Sequence, residues 1–298
     1  MNYIVLDLEW NMADKKKEQV DLINEIIEIG AVKLDENLKT ISFFDSFIKP
    51  VVHTVLNHHI KNVIAIDESR LICAKDFKTV FSDFIKWCGE DYVFCTWGTS
   101  DLRELQRNLT YHKVENPFPF PFKYYDIQEI FSHVNNESRT YTLNYATLFY
   151  RLSGKADFHA AINDARYTAK VMEKLDMSEH LDLYTYDLYR IANTRDEEWG
   201  HGLDGVYRHY SRGFVRKEEL YAAMDIYDFA CPVCRKSLFV ARDWSKPFVK
   251  SSFCLGRCIE HGAVMGRLMV KKNDMDRYYV IRIEKIIDED EYEVLKKK

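Results

Sequence analysis

The N-terminal segment passes from apolar to acidic within a few residues: Tyr3-Ile4-Val5-Leu6 runs straight into Asp7-Leu8-Glu9. A short apolar run of this kind reads as a strand over residues 2–9. Side chains alternate along a strand, so Asp7 and Glu9 fall on the same side at its end. Two carboxylates that close repel each other, and one pKa rises unless a cation neutralises them. A hard divalent ion such as Mg²⁺ or Mn²⁺ is the natural neutraliser. Alone, Asp-x-Glu is commonplace; its weight depends on what the rest of the chain brings to it.

The rest of the chain alternates strand and helix patterns. Residues 14–19 read as an exposed loop. Glu25–Leu34 and Thr40–Ile48 are β-rich runs split by Asp35-Glu36-Asn37, a spacing that predicts antiparallel strands. Helical spacing begins near Asp76 and stops at Gly89, and Tyr92–Cys95 has the makeup of a buried strand. Ser100 is placed to cap a helix carrying Asp101, Leu102, Leu105 and Leu109. Three prolines among the phenylalanines of residues 116–122 require a loop. Tyr124–Phe131 follows as a strand running into a helix, and Thr142–Leu152 and His159–Leu175 carry helical spacing. The order predicts an α/β fold with a mixed sheet flanked by helices, its first strands antiparallel.

Composition removes several alternatives. Hydrophobic residues make up 47% and charged residues 30%, a globular balance and not a disordered one. No uninterrupted apolar run approaches a membrane span, and the N-terminus lacks the basic start of a signal peptide, so a cytoplasmic location without membrane partners is expected. The seven cysteines then read as reduced, with Cys231, Cys234, Cys254 and Cys258 crowded into one stretch. Charge is uneven: the first 230 residues carry 27 basic and 37 acidic side chains, and Cys231–Lys298 carries 15 and 10. An acidic body with a basic tail leaves room for a metal site in one part and a nucleic-acid-facing surface in the other.

Two further clues join the first. Asp101, in Trp97-Gly-Thr-Ser-Asp101, sits in the first turn of a helix after a buried strand, where an acid also simply steadies a helix start. His159 and Asp164, in His159-Ala-Ala-Ile-Asn-Asp164, can face one cleft if the first residues form an entry turn. Four acids and a histidine thus fall in order at the ends of elements, where open α/β sheets collect their active sites. In this the sequence resembles the DnaQ-like (DEDDh) 3′–5′ exonucleases. Asp7-Leu-Glu9 matches the first motif, with Glu25-Ile-Ile-Glu-Ile-Gly30-Ala-Val as the following strand. Asp101 matches the second, and His159 with Asp164 the third. The resemblance covers roughly residues 1–177 and looks closest to a KapD-like, RNA-trimming branch. Two segments depart from the family pattern: Trp10-Asn11 where Thr-Thr-Gly or Thr-Ser-Gly is common, and Ala65-Ile66-Asp67 where Gly-Ile-Thr is common.

The resemblance implies a ribonuclease-H-like exonuclease domain over residues 1–178 that acts on the 3′ end of RNA or DNA. It also implies two-metal hydrolysis, in which two Mg²⁺ or Mn²⁺ ions clamp an in-line displacement at phosphorus. Asp7 would bridge the ions, Glu9 and Asp164 would complete the nucleophile side, and Asp101 would support the second ion through water. His159 would accept the proton of the attacking water. Leu8 and Trp10, beside the acids, are expected to meet the terminal nucleotide. For Trp10, stacking on the base and packing beside the first strand stand as equal readings.

The cysteine stretch has its own logic. Cys231-Pro-Val-Cys234 and Cys258-Ile-Glu-His261-Gly262 each place two soft ligands in a tight knuckle, predicting one structural Zn²⁺ held by Cys231, Cys234, Cys258 and His261. Cys254 in place of His261 is the rival ligand. Residues 231–298 then read as a small β-rich module resembling a zinc ribbon, able to contact nucleic acid or a protein partner. Residues 179–230, rich in Tyr and Arg, read as a helical connector that either packs between domains or touches a nucleic-acid strand. The rival to an enzyme is a regulatory binding protein that keeps the fold, a role associated with KapD-like members in sporulation control; retention of all five site residues speaks for catalysis.

Overall fold

The computed structural model describes residues 1–12, 22–63, 68–137, 139–152, 160–244 and 251–297. They divide into two units, Met1–Asp187 and Leu188–Lys298.

In the first unit β1 (Asn2–Met12), β2 (Asn24–Leu34) and β3 (Thr40–Phe47) form an antiparallel meander. Two short helices, α1 (His58–Val63) and α2 (Glu68–Ile72), precede α3 (Phe77–Cys88). Then β4 (Tyr92–Thr96) leads to α4 (Ser100–Tyr111), and β5 (Phe122–Asp126) leads to α5 (Ile127–Val134). The helices α6 (Leu143–Phe149) and α7 (Ala161–Leu175) follow, and β6 (Thr185–Asp187) closes the sheet. The strand order is β3-β2-β1-β4-β5-β6, with β1 central, antiparallel to β2 and parallel to β4.

Alternation along β1 explains the two helix layers. Ile4, Leu6 and Leu8 pack with Phe77, Phe84, Leu102 and Leu105 of α3 and α4. Tyr3 and Val5 pack on the opposite face with Phe131, Leu143, Ile162 and Ala165 of α5, α6 and α7. Asp7 and Glu9 continue this second, odd-numbered series, so the sheet's pleat points both acids toward α7.

Helix starts hold the sheet ends in place. Asp76 caps α3 through the Thr79 N–H at 3.0 Å. Ser100, expected to cap α4, is instead its first residue; Thr99 occupies the cap and makes no side-chain cap bond. The turn before α4 is fixed differently: Thr96 Oγ1 donates to the Gly98 carbonyl at 2.6 Å, and Gly98 N–H donates to Asp126 at 3.2 Å. Gly98 sits at φ +94°, a backbone state that suits glycine.

Residues 51–57 are tied to the far end of β1 by two buried polar side chains. Glu25 accepts the N–H groups of Val51, Val52 and His53. Asn11, fully buried, donates to the carbonyls of His53 and Val55 and accepts from the Asn57 N–H.

The second unit is a six-stranded antiparallel sheet of order β7-β8-β12-β11-β10-β9. Its strands are β7 (Trp199–Leu203), β8 (Val206–Tyr210), β9 (Phe239–Arg242), β10 (Ser251–Cys258), β11 (Gly262–Lys272) and β12 (Tyr278–Ile286). The helices are α8 (Lys217–Ala222) and α9 (Glu289–Lys296). The expected helical connector over residues 179–230 is therefore corrected. Its first residues finish the first sheet as β6, and its middle is a hairpin belonging to the second sheet. Asp204 and Gly205 both adopt positive φ, 48° and 71°, the two-residue turn that matches strand twist. The Tyr/Arg alternation that follows is strand periodicity, paired with β12 from Tyr210↔Ile281 to Val206↔Lys285.

Glu25→Ala would leave three N–H groups short of an acceptor, that of His53 buried and those of Val51 and Val52 partly so. It should destabilise the first unit by about 3 kcal/mol, the cost of stranding buried donors, readable as a lowered thermal midpoint.

Candidate active site

Asp7, Glu9 and Asp164 each place a carboxylate oxygen within 4.8 Å of the other two. The convergence has a backbone cause. On β2, Gly30 stands opposite Asp7 and Glu28 opposite Glu9. A Cβ on Gly30 would lie 2.1 Å from Ala161 C and Ile162 N, so only glycine lets the start of α7 rest on the sheet there. One turn into α7, Asp164 reaches the acids of β1. Glu28 strengthens the seat: 2% exposed, it accepts the N–H of Ala161 and bonds to Asp45. Neither Glu28 nor the seat under Gly30 was singled out by sequence reasoning; the signal was the Glu-x-Gly spacing inside the β2 run.

Asp101 enters from α4. It is buried, and its Oδ1 accepts the N–H of Leu8, between the two acids of β1, at 3.0 Å. That bond fixes the register between the α4 start and the strand end. The Leu8 N–H is committed to Asp101, and the Leu8 side chain is 3% exposed within the core. Trp10 packs against the same core while staying partly exposed. His159 lies outside the described residues, as does the Ala65-Ile66-Asp67 segment.

The electrostatics follow from crowding. Burial, then the charges of Asp101, Glu9, Asp164 and Glu28, push Asp7 well above the ordinary carboxylate range. Burial, then Asp164, Glu28 and Asp101, raise Glu9 to about 8. Burial raises Asp101 to about 7 against the pull of the Leu8 hydrogen bond. An all-oxygen donor set with this much unrelieved negative charge fits hard divalent cations, which one or two ions of the Mg²⁺ or Mn²⁺ kind would neutralise.

In the second unit Cys231, Cys234, Cys258 and His261 bring their ligand atoms within 4.8 Å of one another. Cys234 Sγ lies 3.7 Å from Cys258 Sγ, and His261 Nδ1 lies 3.5 Å from both Cys231 Sγ and Cys258 Sγ. For metal–sulfur bonds of about 2.3 Å, the edge of a tetrahedron is about 3.8 Å, so the spacing suits a tetrahedral ion. Each knuckle ends in a left-handed residue, Arg235 at φ 58° and Gly262 at φ 78°. Cys254 is outside this group: it is fully buried with Trp244 and Leu268, and burial pushes its thiol far up.

The sequence model of the exonuclease (RNase_T) family matches residues 4–172. The chain belongs to the exonuclease family. It is 25% identical over 181 residues to the probable 3′-5′ exonuclease KapD of Bacillus subtilis (strain 168), spanning 59% of this chain and 85% of that protein. The nuclease domain of 3′hExo, a DEDDh family member solved with rAMP, superposes with TM-score 0.53 at 18% identity, covering 62% of this chain and 96% of that one. Cell-death related nuclease 4 gives TM-score 0.53 at 20% identity, covering 62% and 66%. These likenesses establish the ribonuclease-H-like fold expected from the motifs. No helix among the described residues is long and apolar enough to cross a membrane.

Two outcomes are expected. Unfolded carboxylates release their protons near pH ~4, whereas folded Asp101 and Glu9 hold theirs to about 7 and about 8. The folded state thus binds more protons in between, and without divalent ions stability falls as pH rises across that window. Asp7→Asn removes one repelling charge, so in EDTA at pH ~8 its melting temperature should exceed that of the wild type while the Mg²⁺-induced rise shrinks. For the second unit, Cys258→Ser or a strong chelator should lower its melting temperature, and denaturing the untreated protein should release close to one equivalent of zinc, read with a chromogenic chelator.

Proposed function

We propose that this exonuclease-family protein is a metal-dependent 3′–5′ exonuclease acting on RNA or DNA. The observation that carries the reading is the meeting of Asp7, Glu9 and Asp164 within 4.8 Å, with Asp101 bonded to the strand between the first two. Asp7, Glu9 and Asp164 would hold one divalent ion, and Asp7 with Asp101 a second. Mg²⁺ or Mn²⁺ there would supply a water acidic enough to attack phosphorus and stabilise charge on the leaving oxygen.

The chain's own residues do the positioning. The pleat of β1 aims Asp7 and Glu9 at α7, and Gly30 and Glu28 seat the start of α7 so that Asp164 meets them. Asp101 fixes the strand end against α4. His159, by the motif it matches, would accept the proton of the attacking water, a task that histidine as a residue type suits at neutral pH. Trp10 offers its exposed part to the terminal base, where stacking is worth roughly 1–3 kcal/mol.

The remaining assignments belong to the same reading. Residues 1–187 form the catalytic domain, and residues 188–298 form a zinc-bearing module in which Cys231, Cys234, Cys258 and His261 hold one structural Zn²⁺. Free thiols throughout suit a cytoplasmic setting.

The test is a product ladder from 5′-labelled single-stranded RNA and DNA with Mg²⁺, Mn²⁺ or EDTA. A metal-dependent ladder shortening from the 3′ end is expected, with activity reduced at least ~1,000-fold in Glu9→Gln. No ladder from folded protein with either ion would overturn the catalytic reading and favour the regulatory binding protein.

A further inference from the structure

The sheet of the second unit is chemically two-sided. Its six strands contain eight Lys or Arg residues and one acid, Glu284. Glu284 is fully buried on the face that packs the unit's core, where Arg282 and Arg235 pair with it. Cys254, Leu268 and Val280 share that buried core. The strands therefore give the opposite face no negative charge.

That opposite face carries cations in register. Across β7, β8, β12, β11 and β10 one row reads His201, Arg208, Ile283, Arg267, Phe253. Side chains two residues apart share a face, which adds Lys285 on β12 and Lys271 on β11. Arg208, Arg267, Lys271 and Lys285 are all exposed. Most other cations of the unit are spoken for: Arg212 pairs with Glu198 and Asp225, Lys236 with Glu260, Arg257 with Glu289 and Lys272 with Asp276. These four make no ion pair or hydrogen bond among the described residues.

Spacing follows from the sheet. Arg208 and Arg267 stand two strands apart, about 10 Å, and Lys271 is four residues along β11 from Arg267, about 13 Å. Half-buried Ile283 and Met269 lie between them, and Phe253, with the Arg242 guanidinium over its ring, lies beyond Arg267 on β10. Acids near this face come from α9, which packs at the β10–β11 end, and its Glu289 is engaged by Arg257.

We propose that this face binds the sugar–phosphate backbone of a single-stranded nucleic acid, with Arg208, Arg267, Lys271 and Lys285 on phosphates and the apolar positions between them against bases. Unpaired cations on a rigid sheet, with apolar surface between them and no acid among the strands, complement a polyanion that also offers base faces. A duplex would leave the apolar positions unused. The choice of polymer rests on the exonuclease reading; the existence of an anion-binding face does not.

The test measures binding of the full chain, on a Glu9→Gln background and with no Mg²⁺ or Mn²⁺ added, to a labelled single-stranded oligonucleotide of about 20 nucleotides, so that no hydrolysis intervenes and no chelator touches the Cys/His site. The variant replaces Arg208, Arg267, Lys271 and Lys285 with Ser together; a companion carries Arg208→Lys and Arg267→Lys. At ~0.1 M salt the serine variant should bind at least ~10-fold more weakly, and the slope of log K against log salt should shrink by about 3, close to 0.7 per phosphate contact. The lysine companion should stay near wild type. With Glu9 restored, metal-dependent cleavage of a dinucleotide, whose single phosphate cannot engage four cations, should be unchanged in both.

Unchanged affinity and slope in the serine variant would overturn the proposal, as would a wild type that does not bind the oligonucleotide. If phosphatidylserine vesicles bind the wild type through these four residues while oligonucleotide binding ignores them, the surface belongs to a membrane and the proposal fails. Intact oligonucleotide binding with no ladder from any substrate would instead sink the exonuclease reading and leave this face standing.

Discussion

Mutual repulsion among buried carboxylates is the constraint around which the first unit is built. Asp7, Glu9, Asp101, Asp164 and Glu28 crowd the end of one strand, and burial followed by the neighbouring charges raises the proton affinity of Asp7 and Glu9. No sheet would gather these charges for stability. Hydrophobic burial along Tyr3–Leu6 and the helix layers on either face supply the opposing free energy. The acids are held together by backbone geometry that they did not create, and this stored repulsion suits the site to divalent cations.

The device that does the holding is a close backbone contact. Gly30 removes the one side chain that would keep α7 off the sheet, and Glu28 accepts the N–H of Ala161 at the start of that helix. Asp101 plays a matching part from α4 through the Leu8 N–H. The same strand end is therefore clamped from two helices, one on each face of the sheet. A carboxylate that must meet an ion within a few tenths of an ångström needs this kind of support behind it.

The second unit solves a different problem. A small β-rich unit has limited core, and a metal ion held by the Cys/His knuckles would staple one end of its sheet. Its polar groups are segregated by the pleat: the Arg282–Glu284–Arg235 network lies on the packed face, and unpaired cations lie on the other. Segregation of charge between two faces of a sheet comes directly from period-2 alternation, so the segment over residues 262–285 writes both the core and the basic surface in one pattern.

Much of this was legible in the chain alone. The β-β-β-α-β-α-β order, the strand-end position of Asp7 and Glu9, and the clustering of Cys231, Cys234, Cys258 and His261 follow from apolar periodicity and residue spacing, which are local properties. Residues 179–230 were misread because Gly200, Gly202 and Gly205 interrupt the strand alternation, and only pairing with β12 turns the hairpin into part of a sheet. The sequence by itself determined which acids end the first strand and which thiols form knuckles. Tertiary structure alone decided that Glu28 and Gly30 seat α7, that Cys254 lies apart from the knuckle cluster, and that four cations share one open face, because each depends on contacts between residues far apart in the chain.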